Sequence, residues 1–170
     1  HTGQHFDNNM SRVFFEELEI PEPAHHLEIY GLSHGVMAGR MMDQLEPLLR
    51  AGKPDWTLVY GDTNSTLAGA LTAAKLHLPV AHVEAGLRSF NRRMPEEVNR
   101  VLVDHAADLL FTPTQTADDN LAREGMSANR IVRVGDVMHD AALFYGAMTD
   151  EKSKILSRLN LASGAFVLAT

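Results

Sequence analysis

The sequence predicts an α/β fold in which a parallel β-sheet is flanked by helices. Short apolar runs alternate with segments of helical periodicity along the 170 residues, which is the pattern of repeated βαβ units. The chain is 45% hydrophobic and 22% charged, a balance typical of a compact globular domain. Together these two observations place the chain in the α/β class.

Four short apolar runs are the predicted strands. The first is bounded by Pro54 on one side and by Gly61-Asp62 on the other, which favours a strand over a buried helical turn. The predicted strands span residues 57–60, 80–84, 109–112 and 131–134.

Helical patterns lie before, between and after these strands. Asp62 or Thr63 suits the N-cap of the helix after the first strand, Thr114 suits another N-cap, and Pro95 suits a first helical turn. The predicted helices span residues 8–18, 33–51, 63–76, 96–107, 114–124 and 136–148.

The two ends of the chain predict a fragment of a longer protein. The first residues look like the middle of a loop, and the apolar run 165–170 reads as a strand that has just begun. We therefore predict an amino-terminal domain over 1–150, incomplete at its start. Residues 151–170 are predicted to form a linker helix and the first strand of a second domain.

Charge and composition argue against several classes of partner and site. The net charge is −7 and no basic block stands out, so a nucleic-acid partner is not expected. The chain has no cysteine, which excludes disulfides and thiolate metal sites. No run of about 18 apolar residues predicts a membrane span. The nine histidines lack the spacing of metal ligands, so no metal site is predicted.

Acidic residues lie at the carboxyl ends of two predicted strands and at the start of a predicted helix. Asp62 comes after the first strand, and Glu84 closes the second strand just before a turn through Gly86. Glu96 and Glu97 follow a few residues later. Ligands of open α/β sheets bind at the carboxyl ends of the strands. The sequence therefore predicts a cleft lined by carboxylates.

Each of these acids also has a purely structural interpretation. Asp62 suits a helix N-cap, and Glu84 could form a structural salt bridge to Arg88. Glu96 and Glu97 suit a first helical turn because the helix dipole favours acids there, and spacing alone does not choose between them. Glu84 is the strongest functional candidate, since a carboxylate at the end of a buried strand needs a partner or a raised pKa.

Seven short segments of the chain form a recognisable series. They are TGQH at 2–5, GDTNST at 61–66, HVEAGLR at 82–88, PEEVNR at 95–100, FTPT at 111–114, NLAREG at 120–125 and VGD at 134–136. Together they resemble the UDP-N-acetylglucosamine 2-epimerase family of the non-hydrolysing type. They run in the family's order across nearly the whole chain, which is far more specific than any single segment.

This resemblance implies a fold and an extent. Members have the GT-B architecture, in which two Rossmann-like halves hold the substrate in the cleft between them. The chain would be most of the amino-terminal half, a Rossmann-like parallel sheet flanked by helices. The half that grips the nucleotide would lie beyond it.

The resemblance also implies a reaction. The family interconverts UDP-N-acetylglucosamine and UDP-N-acetylmannosamine without a nicotinamide or a metal, so no cofactor is expected. UDP is eliminated to leave a 2-acetamidoglucal and adds back after C2 is reprotonated from the other face. This requires acid and base groups on both faces of the sugar. Transfer by match gives these catalytic roles to Asp62, Glu84 and Glu96.

Further site residues follow from the same resemblance. Arg88 and Asn99 would hold the catalytic carboxylates in place. Gln4 and His5 lie in a segment that resembles the loop through which many bacterial members bind a second substrate molecule as an activator.

The expected partners are UDP-N-acetylglucosamine and UDP, with no nucleic acid and no membrane. A cytoplasmic homodimer serving polysaccharide biosynthesis is the expectation for the complete isomerase, and the fragment alone is expected to be inactive. Three alternatives stay open: a hydrolysing 2-epimerase that releases UDP and N-acetylmannosamine, a GT-B glycosyltransferase that passes the sugar to an acceptor, and a non-catalytic module.

Overall fold

The computed structural model describes residues 1–5, 7 and 11–168, and it divides into two compact units, His1–Asp136 and Val137–Thr170. The larger unit contains a four-stranded parallel sheet with helices in the connections between strands. The predicted α/β class is confirmed.

All four predicted strands are present in the sheet. They are parallel and lie in the order β1-β2-β3-β4, with Tyr60 opposite Val83 and Val83 opposite Phe111. β2 ends one residue earlier than predicted because Glu84 adopts a left-handed conformation with φ of 70°. The strands are β1 Thr57–Tyr60, β2 Val80–Val83, β3 Leu109–Thr112 and β4 Ile131–Arg133.

The helices of the larger unit begin close to their predicted starts. Thr63 and Thr114 cap their helices by accepting hydrogen bonds from backbone N–H groups three residues later. Thr63, not Asp62, is therefore the cap that follows β1. Of the predicted helix 8–18, residues 8–10 lie outside the described residues. The helices are α1 Arg12–Glu17, α2 His34–Gly52, α3 Asn64–Lys75, α4 Pro95–Ala106 and α5 Gln115–Arg123, with a short 3₁₀ helix at Ala128–Arg130.

The main core lies between the sheet and helices α3, α4 and α5. Val59, Val80 and Leu110 face these helices from three neighbouring strands and are buried. Small residues on α3 let it approach β1 closely, since a Cβ on Gly69 would lie 3.2 Å from the Val59 side chain. This packing fixes where α3 and α4 begin, and both begin at the carboxyl edge of the sheet.

A second core cluster joins α2 to α3. Ile29, Met37, Met41 and Ala68 are its buried members. It ties the segment before α2 to the same end of α3 that follows β1, so the early part of the chain also reaches the strand-end edge.

The smaller unit is helical in its described part and has no buried residue there. Its helices are α6 Val137–Gly146, α7 Thr149–Lys152 and α8 Ile155–Arg158. The predicted linker helix is thus two short helices. Residues 165–168 are not in a strand, and residues 169–170 lie outside the described residues. The predicted division at residue 150 and the predicted strand of a second domain stay predictions. Within the described residues, no helix is long and apolar enough to cross a membrane.

Candidate active site

The turn after β2 places Glu84 against the turn after β1. Gly86, with φ of 80°, continues this turn, and a Cβ there would lie 2.5 Å from the Ala117 carbonyl oxygen. Only glycine fits at that position. One carboxylate oxygen of Glu84 lies 3.8 Å from the point where a Cβ on Gly61 would stand. The two strand ends therefore meet at Glu84.

Glu84 is half-buried and accepts no hydrogen bond from the described part of the chain. Burial raises its pKa, and the negative charges of Asp136 and Asp62 raise it further, while His82 and Arg100 oppose the shift. A carboxyl group with a raised pKa can hold and release a proton closer to neutral pH than an ordinary glutamate does.

Asp62 is held in place by helix α4. Arg100 forms an ion pair with its carboxylate. The Asn99 side-chain amide donates to the Asp62 carbonyl oxygen at 2.8 Å and to the Asn64 side-chain oxygen at 3.4 Å. The Asp62 side chain nevertheless keeps 31% of its surface exposed. Its carboxylate is both oriented and accessible.

Glu96 lies in the first turn of α4, on the helix face that meets Asp62. Glu96, Asn99 and Arg100 are spaced i, i+3 and i+4, and such residues share one side of a helix. Glu96 is half-buried and makes no hydrogen bond or ion pair within the described residues. The structure therefore brings Asp62, Glu84 and Glu96 to the same edge of the sheet.

Glu97, the neighbour of Glu96, has a different environment. It is 2% exposed. Its carboxylate accepts from the backbone N–H groups of Ser89 and Phe90, both at 2.9 Å, and from the Ser89 hydroxyl at 3.1 Å. Burial opposes ionisation of Glu97, but these donors together with Arg100 lower its pKa. Glu97 therefore anchors the start of the 89–94 loop, whereas Glu96 has no such contacts within the described residues.

Arg88 does not pair with Glu84, so the structural salt bridge considered for these two residues is wrong. Arg88 instead donates two hydrogen bonds of 2.7 Å to Glu124 and lies 2.7 Å from an Asp104 carboxylate oxygen. Its side chain is only 1% exposed. Its predicted supporting role would therefore act on the candidate acids indirectly, through Asp104 and through the Leu87 carbonyl oxygen, to which it also donates at 2.7 Å.

A buried network that the sequence did not reveal lies beneath the acids. His82 contacts an Asp104 carboxylate oxygen through Nδ1 at 2.7 Å and the Gly61 carbonyl oxygen through Nε2 at 2.8 Å. The Gly86 N–H donates to the other oxygen of Asp104 at 3.1 Å. Helical spacing is the sequence signal that could have indicated this network, because Glu97, Arg100 and Asp104 lie on one side of α4 and form a polar stripe.

Gln4 and His5 have separate surroundings. Gln4 accepts from the Ser65 N–H and hydroxyl groups, both at 3.2 Å, which joins it to the start of α3. His5 is exposed and lines a pocket of about 680 Å³ with His26 and Tyr30, and none of the three candidate acids lines it. The predicted role of the 2–5 segment in activator binding stays a prediction.

No cluster of three or more His, Asp or Glu side chains in the described ranges is arranged to hold a metal ion. The polar groups at the strand-end edge are mostly carboxylates and their hydrogen-bonding partners. Their arrangement suits proton transfer to and from a bound molecule.

Comparison with known proteins identifies relatives over the whole chain. The family model for UDP-N-acetylglucosamine 2-epimerase matches residues 1–170. The chain is 57% identical to the UDP-2,3-diacetamido-2,3-dideoxy-D-glucuronate 2-epimerase of Pseudomonas aeruginosa, a match that covers 100% of this chain and 47% of that protein. It is 53% identical to the UDP-N-acetylglucosamine 2-epimerase of Methanocaldococcus jannaschii, over 84% of this chain and 39% of that protein.

Solved structures agree with this assignment. The M. jannaschii UDP-GlcNAc 2-epimerase in complex with UDP-GlcNAc and UDP superposes with a TM-score of 0.91 and 48% identity, over 94% of this chain and 44% of that one. The Neisseria meningitidis enzyme bound to UDP-GlcNAc gives a TM-score of 0.85 and 29% identity, over 98% of this chain and 45% of that one. The chain thus spans about half the length of these relatives, as expected for one half of a GT-B epimerase. It belongs to the UDP-N-acetylglucosamine 2-epimerase family.

Proposed function

We propose that the complete protein interconverts UDP-N-acetylglucosamine and UDP-N-acetylmannosamine. The observation that carries the proposal is the meeting of Asp62, Glu84 and Glu96 at one edge of the sheet, where burial and neighbouring acids raise the pKa of Glu84. A relative that is 53% identical bears the name of this activity, and a solved 2-epimerase structure that is 48% identical to this chain holds UDP-GlcNAc and UDP.

The reaction proceeds by elimination of UDP because the C2 proton of the sugar is not acidic enough for simple removal. A base takes that proton while the bond from C1 to the UDP oxygen breaks, which leaves a C1–C2 double bond and free UDP. A proton then returns to C2 from the opposite face, and the UDP oxygen re-forms its bond to C1. Atoms and electrons balance without an external oxidant or reductant.

Two proton transfers on opposite faces require at least two acid–base groups around one sugar ring. Glu84 is suited to carry a proton because its ionised form is disfavoured by burial and by nearby acids. Asp62 and Glu96 supply the further carboxylates. Arg100 and Asn99 orient the Asp62 segment through the contacts described above, so these two residues act as positioning groups.

A second candidate substrate is the UDP-linked 2,3-diacetamido-2,3-dideoxyglucuronate. The observation that favours it is the 57% identity to the Pseudomonas aeruginosa enzyme of that name, which covers the whole chain. Epimerisation at C2 would use the same elimination and the same three carboxylates. The substrates differ in the acetamido group at C3 and the carboxylate at C6, so recognition of those groups would distinguish them.

Other proposals for the complete protein rest on the resemblance. They are a homodimer, a cytoplasmic location and a place in polysaccharide biosynthesis. A hydrolysing 2-epimerase and a GT-B glycosyltransferase are less well supported, since the relatives described above are named as 2-epimerases and neither name specifies hydrolysis or transfer to an acceptor.

The test is an incubation of the complete protein with each nucleotide sugar in D₂O, followed by NMR of the anomeric protons. We expect a new UDP-linked manno signal and deuterium at C2 of the product. Free N-acetylmannosamine would indicate the hydrolysing reaction, and a glycosylated acceptor in a parallel incubation would indicate transfer. An epimerised product without deuterium would contradict the elimination route. Relative kcat/KM values for the two sugars would identify the substrate.

A further inference from the structure

We propose that Asp104 and His82 form a buried ion pair that positions all three candidate acids. The inference rests on the proposed function and goes beyond it, because it assigns a task to two residues that cannot touch the substrate. Both side chains are fully buried, with 0% exposure. They are therefore positioning residues rather than catalytic ones.

The hydrogen bonds of His82 define its protonation. Nε2 lies 2.8 Å from the Gly61 carbonyl oxygen, which can only accept, so Nε2 carries a hydrogen. Nδ1 lies 2.7 Å from an Asp104 carboxylate oxygen. The other oxygen of Asp104 accepts from the Gly86 N–H and from Arg88, as an ionised carboxylate does. Nδ1 therefore donates as well, and His82 is an imidazolium.

The charges around this pair balance. His82 and Arg88 are the cations, and Asp104 and Glu124 are the anions, with Arg88 contacting both acids at 2.7 Å. Burying an isolated charge is costly, whereas a paired and hydrogen-bonded one is tolerated. The four side chains thus form one neutral unit, and removing the charge of one member changes the hydrogen bonding of the others.

Hydrogen bonds connect Asp104 to the backbone next to two of the candidate acids, and Asp104 lies on the same helix as the third. Through His82 it fixes the Gly61 carbonyl, which directly precedes Asp62. Its bond to the Gly86 N–H fixes the turn that holds Glu84 in its left-handed conformation. Because Asp104 belongs to α4, the same contacts also hold the helix that carries Glu96. One carboxylate therefore sets the relative positions of all three acids.

The chain offers a matched control at the other end of β2. Asp108 accepts from the Val80 N–H at 2.9 Å, so it too is a carboxylate bonded to the backbone of β2. It lies at the amino end of the strand, away from the candidate acids. Asp104→Asn and Asp108→Asn make the same chemical change at the two ends of one strand.

The experiment compares these two variants in the complete protein at a temperature where both are folded. We expect Asp104→Asn to lower kcat by about 10- to 100-fold with little change in KM, since small misplacements of catalytic groups cost this much. Asp108→Asn should leave kcat near the wild-type value. A folded Asp104→Asn variant with wild-type kcat would overturn the proposal, as would equal losses of kcat in both variants.

A second measurement does not depend on activity. ¹⁵N NMR of the His82 ring, assigned by its loss in His82→Gln, should show two protonated nitrogens in the wild type. A non-protonated ring nitrogen there would overturn the ion pair, even if the proposed epimerase activity is correct. If the complete protein shows no epimerisation, the proposed function fails while the NMR result still decides the ion pair.

His82→Gln also covers the case in which Asp104→Asn does not fold, since both N–H groups of its amide are on one nitrogen, whereas His82 reaches its two partners through two separate ring nitrogens. The same selective loss of kcat is expected of it, and a folded His82→Gln variant with wild-type kcat would refute the positioning role.

Discussion

Two sets of carboxylates lie close together in this protein, and they differ in how many donors reach them. The outer acids, Asp62, Glu84 and Glu96, keep part of their surface exposed, and Glu84 and Glu96 accept no hydrogen bond within the described residues. The buried acids, Glu97 and Asp104, each accept from at least three groups. A ranking of these carboxylates by burial alone would have placed Glu97 and Asp104 ahead of the outer acids as catalytic candidates.

The pKa values of Glu84 and Glu97, one acid from each set, shift in opposite directions. The pKa of Glu84 is raised by burial and by neighbouring negative charge, whereas the donors around Glu97 outweigh its burial and lower its pKa. A carboxylate that accepts several hydrogen bonds is stabilised in its ionised form, and it fixes the backbone segments whose N–H groups donate to it. A carboxylate without donors can exchange a proton with a bound molecule.

The largest expected effect is on turnover when an outer acid becomes an amide. General acid–base catalysis contributes about 10²–10⁴-fold, so Glu84→Gln, Asp62→Asn and Glu96→Gln should each lower kcat of the complete protein by at least about 100-fold. Steady-state kinetics on folded variants would measure this. Melting temperatures recorded in parallel separate loss of catalysis from loss of structure.

This prediction can fail in two informative ways. Wild-type turnover in all three variants would remove the carboxylate-lined cleft as the site of chemistry. A fully active Glu96→Gln variant beside an inactive but folded Glu97→Gln variant would exchange the roles of the two neighbours and erase the distinction between outer and buried acids.

The next effect is on stability and concerns Glu97. Hydrogen bonds to charged groups contribute about 1.5–3 kcal/mol, so Glu97→Gln should lower the free energy of unfolding by roughly that amount. The helix dipole alone would account for only about 0.3–1 kcal/mol. Denaturant titrations of wild type and variant measure the difference, and a loss below the dipole value would show that the Ser89 and Phe90 contacts contribute little.

The pH dependence of that loss has a definite sign. Because the pKa of Glu97 is lower in the folded state, its contribution is fully present above its ordinary value of 4.5 and disappears as the pH falls through the folded value. The stability gap between wild type and Glu97→Gln should therefore close on acidification below pH 4.5. A gap that widens there would contradict the lowered pKa.

The sequence predicted the outer acids more readily than the buried ones. Strand ends and turns are local features: apolar runs of four residues predicted the strands, and Gly86 predicted the turn that exposes Glu84. Parallel strands then bring their carboxyl ends to one edge. The convergence of Asp62 and Glu84 followed from these local rules.

The buried acids depend on contacts with residues outside their own helix. Asp104 receives hydrogen bonds from residues 18 and 22 positions away, and Glu97 receives them from a loop whose path no local rule gives. For the same reason the sequence did not predict that Arg88 pairs with Glu124, 36 residues later, instead of with Glu84. Spacing within one helix or strand carries no information about such partners.

The third effect is smaller and concerns Glu84 in the folding equilibrium. Its pKa is raised in the folded state, so the unfolded chain ionises first as the pH rises past the ordinary value of 4.5. Wild type therefore loses stability relative to Glu84→Gln as the pH rises through the folded pKa. We expect the variant to melt higher at pH 8 and the difference to vanish below pH 4.5. A variant that melts lower at pH 8 would indicate that Glu84 has stabilising partners.

The smallest effect belongs to an ion pair far from either set of acids. Arg50 and Glu46 face each other one turn apart on α2, with N–O distances of 2.8 and 2.9 Å and side chains 64% and 49% exposed. Exposed helix pairs at this spacing contribute about 0.2–0.5 kcal/mol and weaken with salt.

A double-mutant cycle with Glu46→Gln and Arg50→Gln should give a coupling in that range at low salt, which falls toward zero in about 1 M salt. Turnover should stay at the wild-type value in all three variants, since the hydrogen bonds and the ion pair of these two side chains within the described residues join them only to each other. A coupling above about 1 kcal/mol would exceed what exposed pairs provide. Such a coupling would show that a short N–O distance is enough to give an exposed carboxylate contact a large free energy. The number of donors would then no longer explain the difference between the outer and the buried acids.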